Sequence, residues 1–401
     1  MSELSYLEKL LDGVEVEWVP VSELFQIKNG YTPSKSKKEF WENGTIPWFR
    51  LEDVRVNGRE LNDSIQHINP LGVKGCLFPK NSIFMSTTAT IGEYALVRVP
   101  YLTNQQITNF SISEKFSEAV NIKYIFYRFY DFGKWCTENA NKSGGVSIIG
   151  LKKLSQYQFP IPCPDNPEKS LAIQSEIVRI LDKFTELTAE LTAELTLRKK
   201  QYNYYRDQLL SFEEGEVEWK TLGDLGENLD SKRKPITSGL REAGSIPYYG
   251  ASGIVDYVKD YIFDGDFLLI SEDGANLLAR NTPIAFSISG KSWVNNHAHV
   301  IKFDSYAERR YVEYYLNSID LSPYISGAAQ PKLNKKNLES IRIPNPSPED
   351  KERIVSILDK FDALTNSINE GLPREIELRQ KQYEHYRDLL FSFPKPEAAS
   401  N

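Results

Sequence analysis

A long segment of this chain occurs twice. Residues 177–184 read IVRILDKF and residues 354–361 read IVSILDKF, while QYNYYRDQLLSF at 201–212 returns as QYEHYRDLLFSF at 382–393. Between the two members of each copy lies a charged amphipathic stretch of helical spacing. A repeat of this length means internal symmetry, so one supersecondary unit is used twice. The segments ahead of the two helices are unlike each other, yet their frames match. VEWVPVSEL at 16–24 answers VEWKTLGDL at 217–225, GTIPW at 44–48 answers GSIPY at 244–248, and LSQYQFPIP and LESIRIPNP lead to similar Pro-rich exits. LEKLLDGVEVEW at 7–18 resembles QLLSFEEGEVEW at 208–219, so the chain begins as though it had just left a helix. The natural partner for that start is the C-terminal helix, an arrangement that would close the molecule into a pseudo-symmetric ring.

The fold class expected is α+β: two α+β domains separated by two long antiparallel helices, a coiled coil, in a pseudo-two-fold circular organisation. Residues 1–160 form the first domain, and from 16 onward they alternate short β-like runs with Gly/Pro/Asn turns and contain a helical stretch near 117–130. FPIPCPDNP at 159–167 is punctuation that no helix or central strand crosses. Residues 161–213 hold one helix, from Ser170 to about Phe212, about 60 Å long. Residues 214–345 form the second α+β segment, closed by IPNPSP at 343–348, and residues 346–401 hold the second helix and a tail. Gly371-Leu372-Pro373 should break or kink that helix.

Inside the first helix stands a tandem, Thr188-Ala189-Glu190-Leu191 and Thr192-Ala193-Glu194-Leu195. Its leucines recur every four residues rather than in the alternation of a heptad, which locally unwinds a coiled coil. One copy more or fewer would change the helix length by about 6 Å and rotate the chain beyond the tandem by about 40°.

Bulk properties exclude several classes. At 401 residues the chain asks for two or three domains, and 40% hydrophobic content with 26% charge is that of a soluble globular protein. No apolar run is long enough to span a bilayer. Glu3, Glu8 and Asp12 give the N-terminus no signal-peptide profile, and Cys76, Cys136 and Cys163 lack metal or redox spacing, so a cytoplasmic setting with reduced thiols is expected. A net charge of −7 argues against coating nucleic acid by bulk attraction. Local basic clusters remain at Lys35, Lys37 and Lys38, at Arg198 to Lys200, at Lys232 to Lys234, and at Lys332, Lys335 and Lys336.

With the duplicated helices, the TAEL tandem and the paired α+β segments, the chain resembles a specificity (S) subunit of a type I restriction–modification enzyme, of the type IC branch. The resemblance spans the whole length and is strongest over 1–20, 160–225 and 345–401. It implies two target recognition domains, each reading one half of a bipartite, asymmetric site in double-stranded DNA. It implies helices that pack antiparallel and bind two modification (M) subunits, with restriction (R) subunits joining the complex. It also implies that the tandem, through Thr188, Leu191, Thr192 and Leu195, sets the gap between half-sites, two copies going with a shorter gap than three. S-adenosylmethionine, ATP and Mg would be bound by the partners, and this chain would carry no cofactor, metal or catalytic residue. A coiled-coil adaptor whose α+β domains bind proteins is the alternative.

The residues themselves offer little chemistry. Ala285 to Ser292 loosely matches a phosphate-loop spacing ending in Gly290-Lys291-Ser292, but a turn and a strand, not a helix, should come next. His297 and His299 are two apart with no third ligand cluster, and a polar loop suits both. DNA-reading candidates are loops rich in Gly, amides, hydroxyls and cations, which supply donors and acceptors for base edges and phosphates. In the first domain these are Lys28, Tyr31, Thr32, Ser34, Lys35, Lys37, Arg50, Ser86, Thr87, Thr88, Gln105, Gln106, Lys142 and Ser143. In the second they are Lys232, Arg233, Lys234, Tyr249, Ser252, Asp273, Asn276, Asn296, His297, Gln330 and Lys332. Tyr202, Tyr205, Tyr383 and Tyr386, at the helix ends, suit either a partner interface or packing between the helices.

Overall fold

The structure, a computed structural model, describes residues 6–142, 145–213, 215–327, 330–367 and 369–394. It divides into two compact units, one running to Ala189 and resuming at Leu378, the second spanning Glu190–Glu377. The longer helices are α1 (Ile122–Glu138), α2 (Pro167–Leu209), α3 (Tyr306–Ser318), α4 (Pro348–Asn366) and α5 (Gly371–Leu390). The division falls within α2 and α5; the two ends of α2 pack into different cores, and the end of α5 packs into the first.

In the first unit, β1 (Phe25–Asn29), β2 (Ser82–Ser86), β3 (Tyr94–Val97) and β4 (Ile107–Ile112) form a sheet ordered β1-β4-β2-β3, with Glu60–Leu61 parallel to β3 at its edge. β4 pairs antiparallel with both neighbours, Asn29 standing opposite Thr108 and Ser86 opposite Ile107. α1 starts later than the apolar pattern predicts, because Asn121 caps it by accepting from Lys123 N–H at 2.9 Å, after a short 3-10 turn at Glu114–Phe116. Its Phe129 and Phe132 meet Phe110 of the sheet with ring centroids at 5.2 and 5.7 Å, nearly perpendicular, the geometry aromatic quadrupoles favour.

In the second unit, β5 (Glu227–Asn228), β6 (Phe267–Ser271), β7 (Ala285–Ile288) and β8 (Ala298–Lys302) are ordered β5-β8-β6-β7, the arrangement of the first sheet. α3 covers it with Tyr311, Val312 and Leu316. Each unit also has a two-stranded ribbon built from the repeated frame. Val16–Pro20 pairs with Gln158–Pro162, and Glu218–Thr221 with Arg342–Asn345, so that Trp18 faces Pro160 and Trp219 faces Pro344. The Pro-rich exits are therefore strands of a two-stranded ribbon, where a missing N–H is tolerated.

The expected pairing of the chain's start with its C-terminal segment appears inside the first unit, where Leu390, Phe391 and Phe393 are buried in the core that also holds Leu7 and Leu11. Phe391 and Phe393 lie edge-on to Tyr124 at 6.1 and 6.3 Å, Arg128 stacks on Phe391 at 4.6 Å, and Trp18 Nε1 donates to Pro394 O at 2.9 Å. The second unit buries Leu210, packed with Leu209 and Phe212, the corresponding residues of the first helix copy. Helix contacts repeat as well. Phe184 stacks on Tyr386 at 5.2 Å and Phe361 on Tyr205 at 5.6 Å; the phenylalanines close the two copies of one repeat, and the tyrosines hold the same position in the two copies of the other. As α2 advances from 184 to 205, its partners retreat from 386 to 361.

The TAEL tandem lies in unbroken helix, with Leu187, Leu191 and Leu195 half-buried. The second helical block is broken as expected. α4 ends at Asn366, and Gly371 has φ +76°, where a Cβ would fall 2.4 Å from Ala363 O. No helix among the described residues is long and apolar enough to cross a membrane.

Replacing Phe391 by Ala should destabilise the first unit by about 3–5 kcal/mol, the usual cost of emptying a buried aromatic site. Tyr204→Ala, at a side chain 62% exposed, should stay within about 0.5 kcal/mol of wild type. Urea melting followed by tryptophan fluorescence checks both, and equal effects would refute the docking of the C-terminal segment.

Candidate nucleic-acid interface

The antiparallel pairing brings the end of β1, the start of β4 and the end of β2 to one edge of the first sheet. The loops leaving these ends are laced together through their backbones. Gly30 N–H donates to Ile107 O at 2.9 Å, Tyr31 N–H to Thr103 O at 2.8 Å, Thr87 N–H to Gln106 O at 3.1 Å, and Ala89 N–H to Ser147 O at 2.8 Å. Gly30 is required by this approach, since a Cβ there would lie 2.2 Å from Thr103 Oγ1. Beside them opens a cleft of about 660 Å³ lined by Thr32, Lys35, Lys38, Arg50, Gln105 and Gln106 over Trp41 and Trp48. The two indoles meet edge to face at 5.1 Å, and the Arg50 guanidinium lies 5.7 Å from the Trp48 ring. Three cations against Glu42 make the cleft locally positive on an acidic chain.

Of the first domain's candidates, Lys28, Ser34, Lys35, Lys37, Gln105, Gln106 and Lys142 are exposed, and Thr32, Arg50 and Thr88 are half-exposed. Lys28 belongs to β1 rather than to a loop, and Arg50 is tied to Glu52 at 2.9 Å. Three candidates are corrected. Ser86 is fully buried with its hydroxyl on Thr88 O, and Thr87 is buried with its hydroxyl 2.8 Å from that of Thr108. The Tyr31 phenol is occupied by Gly72 O and Lys74 N–H, so it braces the loop. Ser143 lies outside the described residues.

The second unit gathers its loops at the same edge. A smaller hollow of about 330 Å³ is lined by Ser252, Asp273, Asn276, Asn295 and His297. Lys232, Lys234, Ser252, Asn296, His297, Gln330 and Lys332 are exposed or half-exposed. His297 Nδ1 stands 2.9 Å from Asp273, and this pair is open to solvent. Arg233 is corrected: only 12% of its side chain is exposed, and it binds Glu272 at 2.6 Å, Ala298 O at 2.8 Å and Asp230 at 3.3 Å. Asn276 spends both ends of its amide on Thr282, at 3.0 and 3.1 Å. Tyr249 packs against the core beside Phe286.

His299, expected in a polar loop, is instead a fully buried residue of β8. Its Nδ1 meets Asp230 at 2.6 Å and its Nε2 meets Leu333 O at 2.7 Å. With Glu272 it forms a His/Asp/Glu group whose ligand atoms lie within 4.8 Å of one another. Both ring nitrogens are already engaged, and Arg233 and Lys332 sit on the carboxylates, so the set is built as an ion-pair network. Burial alone would raise the Asp230 carboxyl, but the His299 hydrogen bond, Val300 N–H and Arg233 hold it below its ordinary value. Burial is likewise outweighed at Glu272, by Arg233, His299 and Lys332. Sequence reading missed this cluster, because Asp230 and Glu272 come from strand ends far from His299 in the chain. Gly290-Lys291-Ser292 leads into the strand Lys291–Val294, which rules out a phosphate loop.

At the helix ends, Tyr202 and Tyr383 are largely taken up by the cores of their units. Arg387 bridges Tyr130 and Tyr383 at 3.8 and 5.8 Å. Tyr205 and Tyr386 each stack one face on a phenylalanine and remain 45% and 43% exposed.

Because the Asp230 and Glu272 carboxyls are depressed in the folded state, their stabilisation is present above their unfolded pKa, about 4. It is lost as pH falls through the folded values. In acid titrations of thermal stability, Asp230→Asn should therefore flatten the decline of the second unit below about pH 4. Parallel declines for wild type and variant would contradict the network.

Comparison with known proteins agrees with this duplicated geometry. The family model described as the type I restriction modification DNA specificity domain matches residues 13–197 and again residues 214–378. The EcoprrI type I restriction enzyme specificity subunit of Escherichia coli is 50% identical over 92% of this chain and 93% of its own length. The EcoR124I/EcoR124II specificity subunit of the same species is 40% identical over the full length of both. In fold, the chain resembles the S subunit of the type I restriction-modification system from M. genitalium, with TM-score 0.58 and 16% identity over 96% of this chain and 98% of that one. With both α+β units matched and two relatives aligned nearly end to end, the chain belongs to the type I restriction-modification DNA specificity family.

Proposed function

We propose that this chain is the DNA-reading subunit of a type I restriction–modification complex and that each unit reads one half of a bipartite site. The observation that carries the reading is the matched sheet edge: both units present laced polar loops at the same end of a sheet of the same order. Strands fix the loop roots, while the exposed amides, hydroxyls and cations differ between the units, as two different words require. Lys35, Lys38 and Arg50 on one edge, and Lys232 and Lys234 on the other, supply phosphate contacts. Each lost base match costs about 1–3 kcal/mol.

The helices carry the assembly role. Two modification subunits dock on them, using the exposed faces of Tyr205 and Tyr386, and restriction subunits join through the complex. Methyl transfer, ATP-driven movement and cleavage belong to these partners, which bring S-adenosylmethionine, ATP and Mg. The adaptor reading finds no support in the relatives, which are specificity subunits.

Exchanging residues 20–155 for the corresponding segment of a relative should change one half-site only, as read by mapping modified adenines in cells that carry the whole system. A change in both halves would break the modular reading. Inserting a third Thr-Ala-Glu-Leu after Leu195 should widen the gap by about one or two base pairs, since the helix gains about 6 Å. Both words should survive, and an unchanged gap would refute the spacer role.

A further inference from the structure

The loops of the two units are rooted at the same three backbone positions, and those positions carry opposite chemistry. In the first unit Thr87 follows the last residue of β2; its N–H donates to Gln106 O at 3.1 Å and its carbonyl accepts from Ile149 N–H at 3.0 Å. In the second unit Glu272 follows the last residue of β6; its N–H donates to His297 O at 2.9 Å and its carbonyl accepts from Leu333 N–H at 2.8 Å. Ser86 and Ser271 end the two strands opposite Ile107 and Ala298. One residue further along the central strand stand Thr108, opposite Met85, and His299, opposite Ile270. On its other side Thr108 faces Asn29. The matching residue beside His299 is Asp230, since Leu229 N–H already pairs with Val300 O at 2.8 Å.

Asn29, Thr108 and Thr87 thus match Asp230, His299 and Glu272 position for position. The first set is neutral: the Thr87 and Thr108 hydroxyls are 2.8 Å apart, and Thr108 donates to Asn29 Oδ1 at 2.9 Å. The second set is charged. His299 spans from Asp230 at 2.6 Å to Leu333 O at 2.7 Å, and Glu272 is held by Arg233 at 2.6 Å and Lys332 at 3.1 Å. One buried ring therefore joins the roots of the loops at 231–235, 271–276 and 326–332. A buried charged set is a poor way to gain stability, because apolar residues of the same volume often serve as well or better. Directional hydrogen bonds to fixed backbone points do supply geometry.

We propose that Asp230, His299 and Glu272 are positioning residues that set the second unit's reading loops, the task that Asn29, Thr108 and Thr87 perform in the first. They touch no DNA themselves. The proposal rests on the reading of these loops as DNA-facing. Its consequence is that the two half-sites are read by loops set through independent chemistries, so a change at the buried ring alters one word.

The test uses the full-length chain, co-expressed with its partner subunits, to select from a randomised duplex DNA pool at fixed salt. For His299→Leu and Asp230→Asn, the selected DNA should keep the first unit's word and lose about tenfold or more of the base preference in the second, the scale of a stranded buried polar group. His299→Gln, which retains a donor for Leu333 O, should recover part of what His299→Leu loses. Should His299→Leu fail to fold, Asp230→Asn and His299→Gln carry the same comparison. Folded variants that keep both words, variants that lose both equally, or a His299→Gln no better than His299→Leu would overturn the positioning role alone. If Asn296→Ala with Gln330→Ala, both exposed at this edge and outside the buried set, leaves the selected DNA unchanged, the DNA-facing reading fails and the positioning role falls with it.

Discussion

Ladder hydrogen bonds on both sides of β4 and β8 hold their neighbours in fixed register, and because side chains alternate along a strand, a slip by one residue would exchange the two faces. That register decides what each face can do. On one face, Phe110 and Ile301 are buried under α1 and α3. Two residues earlier, still on that face, stand Thr108 and His299, both buried. A polar group buried at this point needs partners, and only the adjoining strand ends and loop roots can provide them. The junction between core and loops is therefore where hydrogen-bonding chemistry must be specified, and the two units specify it differently.

The helices obey a second constraint, the docking of their aromatic ends. Leu390, Phe391 and Phe393 are as much a part of the first core as Tyr124 is, and Leu210 has the same standing in the second. α2 enters the first core through Ile173, Ile177 and Leu181. The TAEL tandem sits beyond those anchors in helix that is only half-buried. Length can therefore vary there without emptying either core, which is what a spacer element requires. The same insertion placed among Ile173 to Leu181 would rotate buried side chains into solvent.

Much of this frame was legible in the sequence because it rests on local rules. The repeats, the Pro-rich exits and the Gly371 break each follow from propensity or from a missing N–H, and the ribbon pairing of Trp18 and Trp219 fits the recurrence of VEW. The candidate interface was legible only as clusters. Ser86 and Thr87 lie in a polar stretch that reads as a loop, yet strand pairing buries both. His299 looked like a loop residue because its neighbours are polar, while the groups that explain it, Asp230 and Leu333, are distant in the chain. Tyr202 and Tyr383 were ambiguous for a similar reason, since an amphipathic ring suits a core edge as well as a partner.

The charge count shows why such distinctions matter for binding. The sequence offers Arg233 and Lys332 as phosphate contacts, but the fold commits Arg233 to Asp230 and Glu272 and draws Lys332 onto Glu272. A cation already paired releases little counterion atmosphere when DNA arrives, so it adds less to the salt dependence than its formal charge implies. The second edge then depends on Lys232 and Lys234, whereas the first has Lys35, Lys37 and Lys142 exposed. On a chain of net charge −7, attraction beyond a Debye length is weak or adverse. The balance favours a reader whose affinity comes from close polar fit at two short edges rather than from bulk charge.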